Sequence, residues 1–221
     1  MQPTVDLLVP VKPLALAKTR LLGAADRGTG EPAAHARLAL ALARDTLTAA
    51  AAAGMVRRLV AISSDPVVHA AVTSDGVALI ADEPDAGLNP ALLHGEQRLR
   101  RADPAAAVAA LQADLPALRP DELDAAVRAA LGTGRRAFCA DRAGTGTTLL
   151  VAPPGQPLDP CFGPGSAASH RGSGAVAIEG PWPGLRCDVD TGADLSVARR
   201  LGLGHFTRSA LAHPDRPDHG S

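Results

Sequence analysis

Short apolar runs that end in proline or aspartate, each followed by a stretch with helical signals, recur along this chain and leave few folds open to it. The first, Val5-Asp6-Leu7-Leu8-Val9-Pro10-Val11, reads as a buried strand that runs into a loop. A helix is expected from about Pro32 to Ala53, stopped by Gly54, then a strand from Arg58 to Ser63. Asp65-Pro66 has the N-cap and first-turn form of a short helix, which precedes a strand at Val77 to Ile80. Asn89-Pro90 opens another helix, Ala105 to Gln112 reads as a strand, and Pro120 to Leu131 as a helix. Strands near Arg136 to Ala140 and Thr147 to Ala152 flank a turn and look like an inserted hairpin, and a short helix follows Ser166. Such alternation implies an α/β fold with a mostly parallel sheet covered on both faces. Residues 1–204 are expected to form one domain, and 205–221, with His, Pro, Asp and Gly in quick succession, to fray.

A chain of 221 residues can build one such domain and bury roughly 70–75% of its unfolded surface. Aromatic residues make up only 2%, so alanine, leucine and valine must fill the core. A formal net charge of −1 argues against general binding to nucleic acid or to an anionic membrane. The sequence carries no signal peptide or lipidation motif and no apolar run near 18 residues, which points to the cytoplasm. Cys139, Cys161 and Cys187 are too scattered for a zinc site or a disulfide framework and read as small buried apolar residues.

The segment Leu185-Arg186-Cys187-Asp188-Val189-Asp190 reads as a strand whose two carboxylates share one face, because side chains alternate along extended backbone. Thr191 with Asp194 has the form of a capping box, so a helix begins just beyond. Asp188 and Asp190 are either metal ligands, for which hard oxygen donors favour Mg²⁺, or simple capping and turn residues. Asp114 ends the apolar run Val108-Ala109-Ala110-Leu111 in the same manner, as a third ligand or as a turn aspartate before Leu115-Pro116. Neighbouring strands would bring all three carboxylates together.

Only two of the 22 basic residues are lysine, and both, Lys12 and Lys18, follow the first strand together with Arg20. They either bind phosphate or form a solvated face. Neither a Walker A loop nor a GxGxxG after a strand occurs, so P-loop hydrolysis and dinucleotide redox chemistry lose their support. Gly144-Thr145-Gly146-Thr147 is either a hairpin turn or a ring of N–H groups around an anion. Ser166, after Phe162-Gly163-Pro164-Gly165, caps a helix or holds an anion, and Asn89 is an N-cap first and a nucleotide contact second. His35, His69, His94, His170 and His205 show no ligand spacing and receive no role.

Taken in order, Pro10-Val11-Lys12 with Ala17-Lys18-Thr19-Arg20-Leu21, Gly87-Leu88-Asn89, Gln112-Ala113-Asp114-Leu115-Pro116, Asp141-Arg142 with Gly144-Thr145-Gly146-Thr147, Phe162-Gly163-Pro164-Gly165-Ser166 and Cys187-Asp188-Val189-Asp190-Thr191 resemble the phosphoenolpyruvate or 2-phospho-L-lactate guanylyltransferases of deazaflavin coenzyme biosynthesis. The actinobacterial branch, which uses phosphoenolpyruvate, is the nearest. The resemblance implies a nucleotide-diphospho-sugar transferase fold, a GT-A-like, Rossmann-like three-layer sandwich with a mixed, mostly parallel sheet. It implies that Asp114, Asp188 and Asp190 hold Mg²⁺ and that Thr147, Gly163 and Ser166 bind phosphoenolpyruvate. Pro10, Val11, Lys12 and Asn89 would contact the nucleotide, with Lys18, Arg20 and Asp114 as catalytic groups. The implied reaction joins phosphoenolpyruvate to the GMP part of GTP and releases pyrophosphate. 2-Phospho-L-lactate and 3-phosphoglycerate are alternative acceptors, and a GTP-binding regulator without chemistry is the rival from another class. The downstream deazaflavin transferase is an implied partner, and the oligomeric state, a homodimer included, stays open. Ala113 replaces a glycine common in the family and puts a methyl group beside Asp114.

Overall fold

The structure is a computed structural model that describes residues 4–14, 21, 24, 28, 30–82 and 86–213. In chain order the elements are β1 (Val5–Pro10), α1 (Pro32–Ala51), β2 (Val56–Ser63), α2 (Pro66–Ser74), β3 (Ala78–Ala81), α3 (Leu88–Ala102) and β4 (Ala107–Leu111). They continue with α4 (Pro120–Gly132), β5 (Ala137–Ala140), β6 (Thr147–Ala152), α5 (Ser166–Gly172), β7 (Val176–Ile178), α6 (Gly192–Leu201) and α7 (His205–Ala212). One sheet takes the order β3-β2-β1-β4-β6-β5-β7. All neighbours are parallel except β6, which runs antiparallel to both β4 and β5. The expected mostly parallel sheet and its inserted hairpin are both present.

Every residue of β1 is buried, as a central strand covered on both faces requires. Val5, Leu7 and Val9 face a core shared with α1 and α4, where Leu40, Leu47, Leu123 and Val127 pack. Leu8 faces the opposite core with Leu92 and Leu99 of α3 and Phe138 and Leu150 of the far strands. With so few aromatic rings available, the layers close by proximity. A Cβ on Gly95 of α3 would lie 2.7 Å from Ile62 Cδ1 and 3.0 Å from Leu8 Cδ2, so a larger residue here would have to push the ends of those two side chains aside.

Asp6 also points to the α3 side but lies at the amino end of β1, fully buried. Arg57 satisfies both of its oxygens, Nε to Oδ1 and Nη2 to Oδ2, each at 2.9 Å. Helix α1 stops three residues short of Gly54. The Asp124 carboxylate of α4 accepts from the Gly54 and Met55 N–H groups at 3.1 and 2.7 Å and draws the chain away toward β2.

Two expectations are corrected at the carboxyl-terminal side. Leu185 to Asp190 is not a strand: Pro183 opens a turn over 183–186, and 187–189 lie outside the sheet. Residues 205–212 do not fray but form α7 on α1, while 214–221 lie outside the described residues. The buried Asp45 carboxylate of α1 accepts from the N–H groups of Phe206 and Thr207 at 2.9 and 2.8 Å, a cap supplied from another helix. The Arg44 guanidinium stacks 3.7 Å above the Phe206 ring.

Asp45→Ala should therefore destabilise the fold by about 1–3 kcal/mol, the cost of orphaning buried donors, read as a lower urea midpoint.

Candidate active site

Strands β2 and β3 extend the sheet to one side of β1, and β4 begins the other side. The chain leaving β1 and the chain leaving β4 consequently part at the carboxyl edge, where open α/β sheets bind ligands. A cavity of about 670 Å³ opens there. Pro10, Val11 and Lys12 line it after β1, residues 112–114 after β4, Asp141 and 145–147 from the hairpin turn, 163–166 from the entry to α5, and Asp188 and Asp190 from the segment before α6. Of the residues named from the sequence, Lys18 and Arg20 lie outside the described residues, and Asn89 stands behind the lining.

Asp114 is held by a residue that sequence reading passed over. The fully buried Thr46 of α1 accepts from the Leu115 N–H at 2.9 Å, and its hydroxyl faces the Ala113 carbonyl at 3.1 Å and the Leu42 carbonyl at 2.9 Å. One threonine thus grips the backbone on both sides of the carboxylate. Ala113 is half-buried and lines the cavity, so its methyl group is accommodated beside Asp114.

The segment carrying Asp188 and Asp190 reaches the same place without a strand ladder. The Val189 N–H donates to the Asp114 carbonyl at 3.0 Å, and the Arg142 N–H donates to the Arg186 carbonyl at 2.7 Å. Arg186 in turn donates to the carbonyls of Ala140 and Asp141. The expected alternation survives, with Cys187 and Val189 buried and Asp188 and Asp190 on the cavity side. The capping box is present in full: Thr191 Oγ1 accepts from the Asp194 N–H, and Asp194 accepts from the Thr191 N–H. Arg142 adds an ion pair to Asp194 at 2.9 Å.

Asp114, Asp188 and Asp190 therefore line one cavity. Among the described residues, no three His, Cys, Asp or Glu side chains are grouped so as to hold a metal by themselves. The three carboxylates offer hard oxygen donors at one cavity, the donor type that divalent cations take.

The hairpin turn needs no outside anion. The Thr145 and Gly146 N–H groups both donate to the buried Asp141 carboxylate at 2.9 Å, so the ring of donors read from the glycines is filled by the chain itself. Asp141 enters the sequence reading only as part of the Asp141-Arg142 motif, with no role of its own, because its bonds reach residues four and five positions on. The helix-cap readings of Ser166 and Asn89 are corrected. Gly165 caps α5 in a left-handed conformation at φ 72°, leaving Ser166 as the first helical residue, buried at the cavity wall. Gly87 caps α3 at φ 103°, and Asn89 spends its amide on the backbone of Phe162: Nδ2 donates to the carbonyl at 3.0 Å and Oδ1 accepts from the N–H at 2.8 Å.

His170 also lies at this site, fully buried beneath Thr147 with the Phe162 ring edge-on at 5.1 Å. Burial first, and Arg136 second, push its pKa from 6.5 down to about 4 against the opposing pull of Asp159 and the Ser166 carbonyl. Burial pushes the Cys139 thiol up to about 11 and raises Cys187 as well, so neither supplies a thiolate. Cys161, expected to be buried like them, is only half-buried.

The MobA-like NTP transferase domain matches residues 23–171. A phosphoenolpyruvate guanylyltransferase of Geodermatophilus obscurus is 49% identical over 96% of this chain and 96% of its own. The chain belongs to this family. A phosphoenolpyruvate guanylyltransferase of Thermomonospora curvata is 48% identical over 95% of this chain and 89% of its own. Among solved structures, a protein described as a nucleotide-diphospho-sugar transferase from Desulfovibrio desulfuricans superposes with a TM-score of 0.67 at 20% identity, covering 96% and 94% of the two chains. A 4-diphosphocytidyl-2C-methyl-D-erythritol synthase gives a TM-score of 0.60 at 14% identity over 91% and 99%. These likenesses confirm the nucleotide-diphospho-sugar transferase fold. No helix among the described residues is long and apolar enough to cross a membrane.

Two stability measurements check this wall. Thr46→Val should cost about 1–3 kcal/mol, because the Leu115 N–H loses a buried acceptor. With the His170 pKa lowered in the folded state, the unfolded chain takes up that proton first. The His170 share of stability is then whole above about pH 6.5 and falls as pH drops toward 4. The gap in urea midpoint between wild type and His170→Asn should narrow across that window.

Proposed function

We propose that this cavity transfers GMP from GTP to phosphoenolpyruvate, giving enolpyruvyl-diphospho-5'-guanosine and pyrophosphate. The observation that carries the reading is the sharing of one cavity by the three carboxylates and by Thr147, Gly163 and Ser166, the residues that match the family's acceptor loops. The relatives named above supply the acceptor's identity.

A phosphate oxygen of phosphoenolpyruvate attacks the α-phosphorus of GTP, and the bond to the pyrophosphate bridging oxygen breaks. The nucleophile is already anionic at neutral pH, so no general base and no covalent intermediate are required. What the protein must do is hold two polyanions together and in line, worth about 7–11 kcal/mol when geometry is well set. Thr147 and Ser166 orient the acceptor on one wall, and Gly163 lets its backbone approach closely. Pro10, Val11 and Lys12 border the nucleotide on the other, with the positive charge of Lys12 toward the triphosphate. Lys18 and Arg20, which lie outside the described residues, are the further basic groups that the resemblance assigns to the reaction. Asn89, which the resemblance places near the nucleotide, acts instead on the acceptor wall through the Phe162 backbone beside Gly163. Asp114, Asp188 and Asp190 would hold Mg²⁺, which when bound neutralises charge on the α-phosphate and the departing pyrophosphate. The chain works in the cytoplasm and hands a labile product to the deazaflavin transferase that consumes it.

The test is pyrophosphate release from GTP and Mg²⁺ with phosphoenolpyruvate, 2-phospho-L-lactate or 3-phosphoglycerate, with a deazaflavin acceptor and its transferase present as trap. Release with phosphoenolpyruvate alone is expected. Release only with another acid changes the acceptor, and GTP binding without release with any of them makes the chain a regulator. Asp114→Ala and Asp190→Ala should each keep the wild-type circular dichroism spectrum and lose about 10³-fold or more in turnover. Full activity in either would remove that residue from the metal site.

A further inference from the structure

His170 lies on α5 outside the cavity lining, and the chemistry above makes no use of it. Both of its ring nitrogens are nevertheless engaged. The Cys161 backbone N–H donates to Nε2 at 2.9 Å. A backbone amide can only donate, so Nε2 presents a lone pair and the neutral ring carries its proton on Nδ1. Nδ1 lies 2.9 Å from Thr147 Oγ1. That contact must then run from ring to hydroxyl, with Oγ1 accepting. The opposite tautomer would set two N–H groups against each other at Cys161.

A threonine hydroxyl has one proton and ordinarily rotates to suit its surroundings. Once Oγ1 accepts from His170, its own proton is turned to another acceptor, and Thr147 borders the cavity. We infer that His170 is a positioning residue that fixes the Thr147 hydroxyl as a donor to an anionic oxygen of the acceptor substrate. The identity of that ligand rests on the proposed function; the tautomer rests on geometry alone. The ring is well placed for the task, since Phe138 and Phe162 hold it at 5.8 and 5.1 Å and Asn89 fixes the Phe162 backbone next to Cys161.

The tautomer can be read without substrate. Long-range proton–nitrogen correlation spectra of the full chain labelled in histidine, with the His170→Asn spectrum identifying the signal, should show hydrogen on Nδ1. Hydrogen on Nε2 would overturn the inference whatever the enzyme turns over. The kinetic test uses two replacements. Asparagine can keep an N–H near the Nδ1 position, whereas glutamine reaches toward the Nε2 position, keeps an acceptor for Cys161 and loses the donor to Thr147. His170→Gln should raise KM for phosphoenolpyruvate about 10- to 100-fold, as loss of a hydrogen bond to a charged group does, with KM for GTP within about 3-fold. His170→Asn should stay within about 5-fold of wild type for both substrates, since its donor is retained. Equal losses in the two variants, or equal losses toward both substrates, would make His170 a packing residue only. Should His170→Gln fail to fold, Thr147→Val against Thr147→Ser carries the same comparison, with serine expected to rescue. A wild-type enzyme that releases no pyrophosphate with phosphoenolpyruvate refutes the proposed function and leaves the tautomer measurement standing.

Discussion

The parallel pairing of β1 with β4 is the contact on which the rest of this molecule depends. It sets two strand ends side by side whose continuing chains must part, because β2 lies beyond one and β6 beyond the other. The opening between them needs no special residue; it follows from strand order. What the sequence adds is chemistry at the rim: an exposed lysine after β1, an aspartate after β4, and two more aspartates brought in from 188 and 190.

Most of the sheet was legible because its signals are local. Apolar runs of four to eight residues account for six of the seven strands, and the turn between β5 and β6 announced an antiparallel pair. The segment from Leu185 to Asp190 misled for an instructive reason. Alternating burial requires only a segment held between two surfaces, and single hydrogen bonds to Asp114 and Arg142 supply that without a ladder. Period two in a sequence reports two-sidedness, not sheet membership. Asn89 misled in the same way: Asn before Pro fits an N-cap, but a glycine two residues earlier already turns the chain, which frees the amide for Phe162.

The residues that could not be read are those whose partners are remote in sequence. Thr46 sits within an alanine-rich helix and resembles any other helix threonine until Leu115, 69 residues away, is brought to it. His170 has no companion at metal-ligand spacing; its partners are a strand threonine and a loop amide. The three carboxylates were visible because each ends or follows an apolar run, a local pattern that also fits a turn. Their supports were not, since buried hydrogen-bonding side chains carry no periodic signature.

Asp45 and Thr46 are consecutive residues of α1, and each leaves that helix for a different destination. One caps α7, and the other grips the backbone around Asp114. The Gly204 N–H just before α7 also reaches the Pro116 carbonyl at 2.8 Å, two residues past that aspartate. The end of the described chain and the cavity floor are thereby fastened to a single helical turn. A change made in α7 is thus felt two hydrogen bonds from the backbone that carries Asp114, however distant residue 207 looks along the sequence.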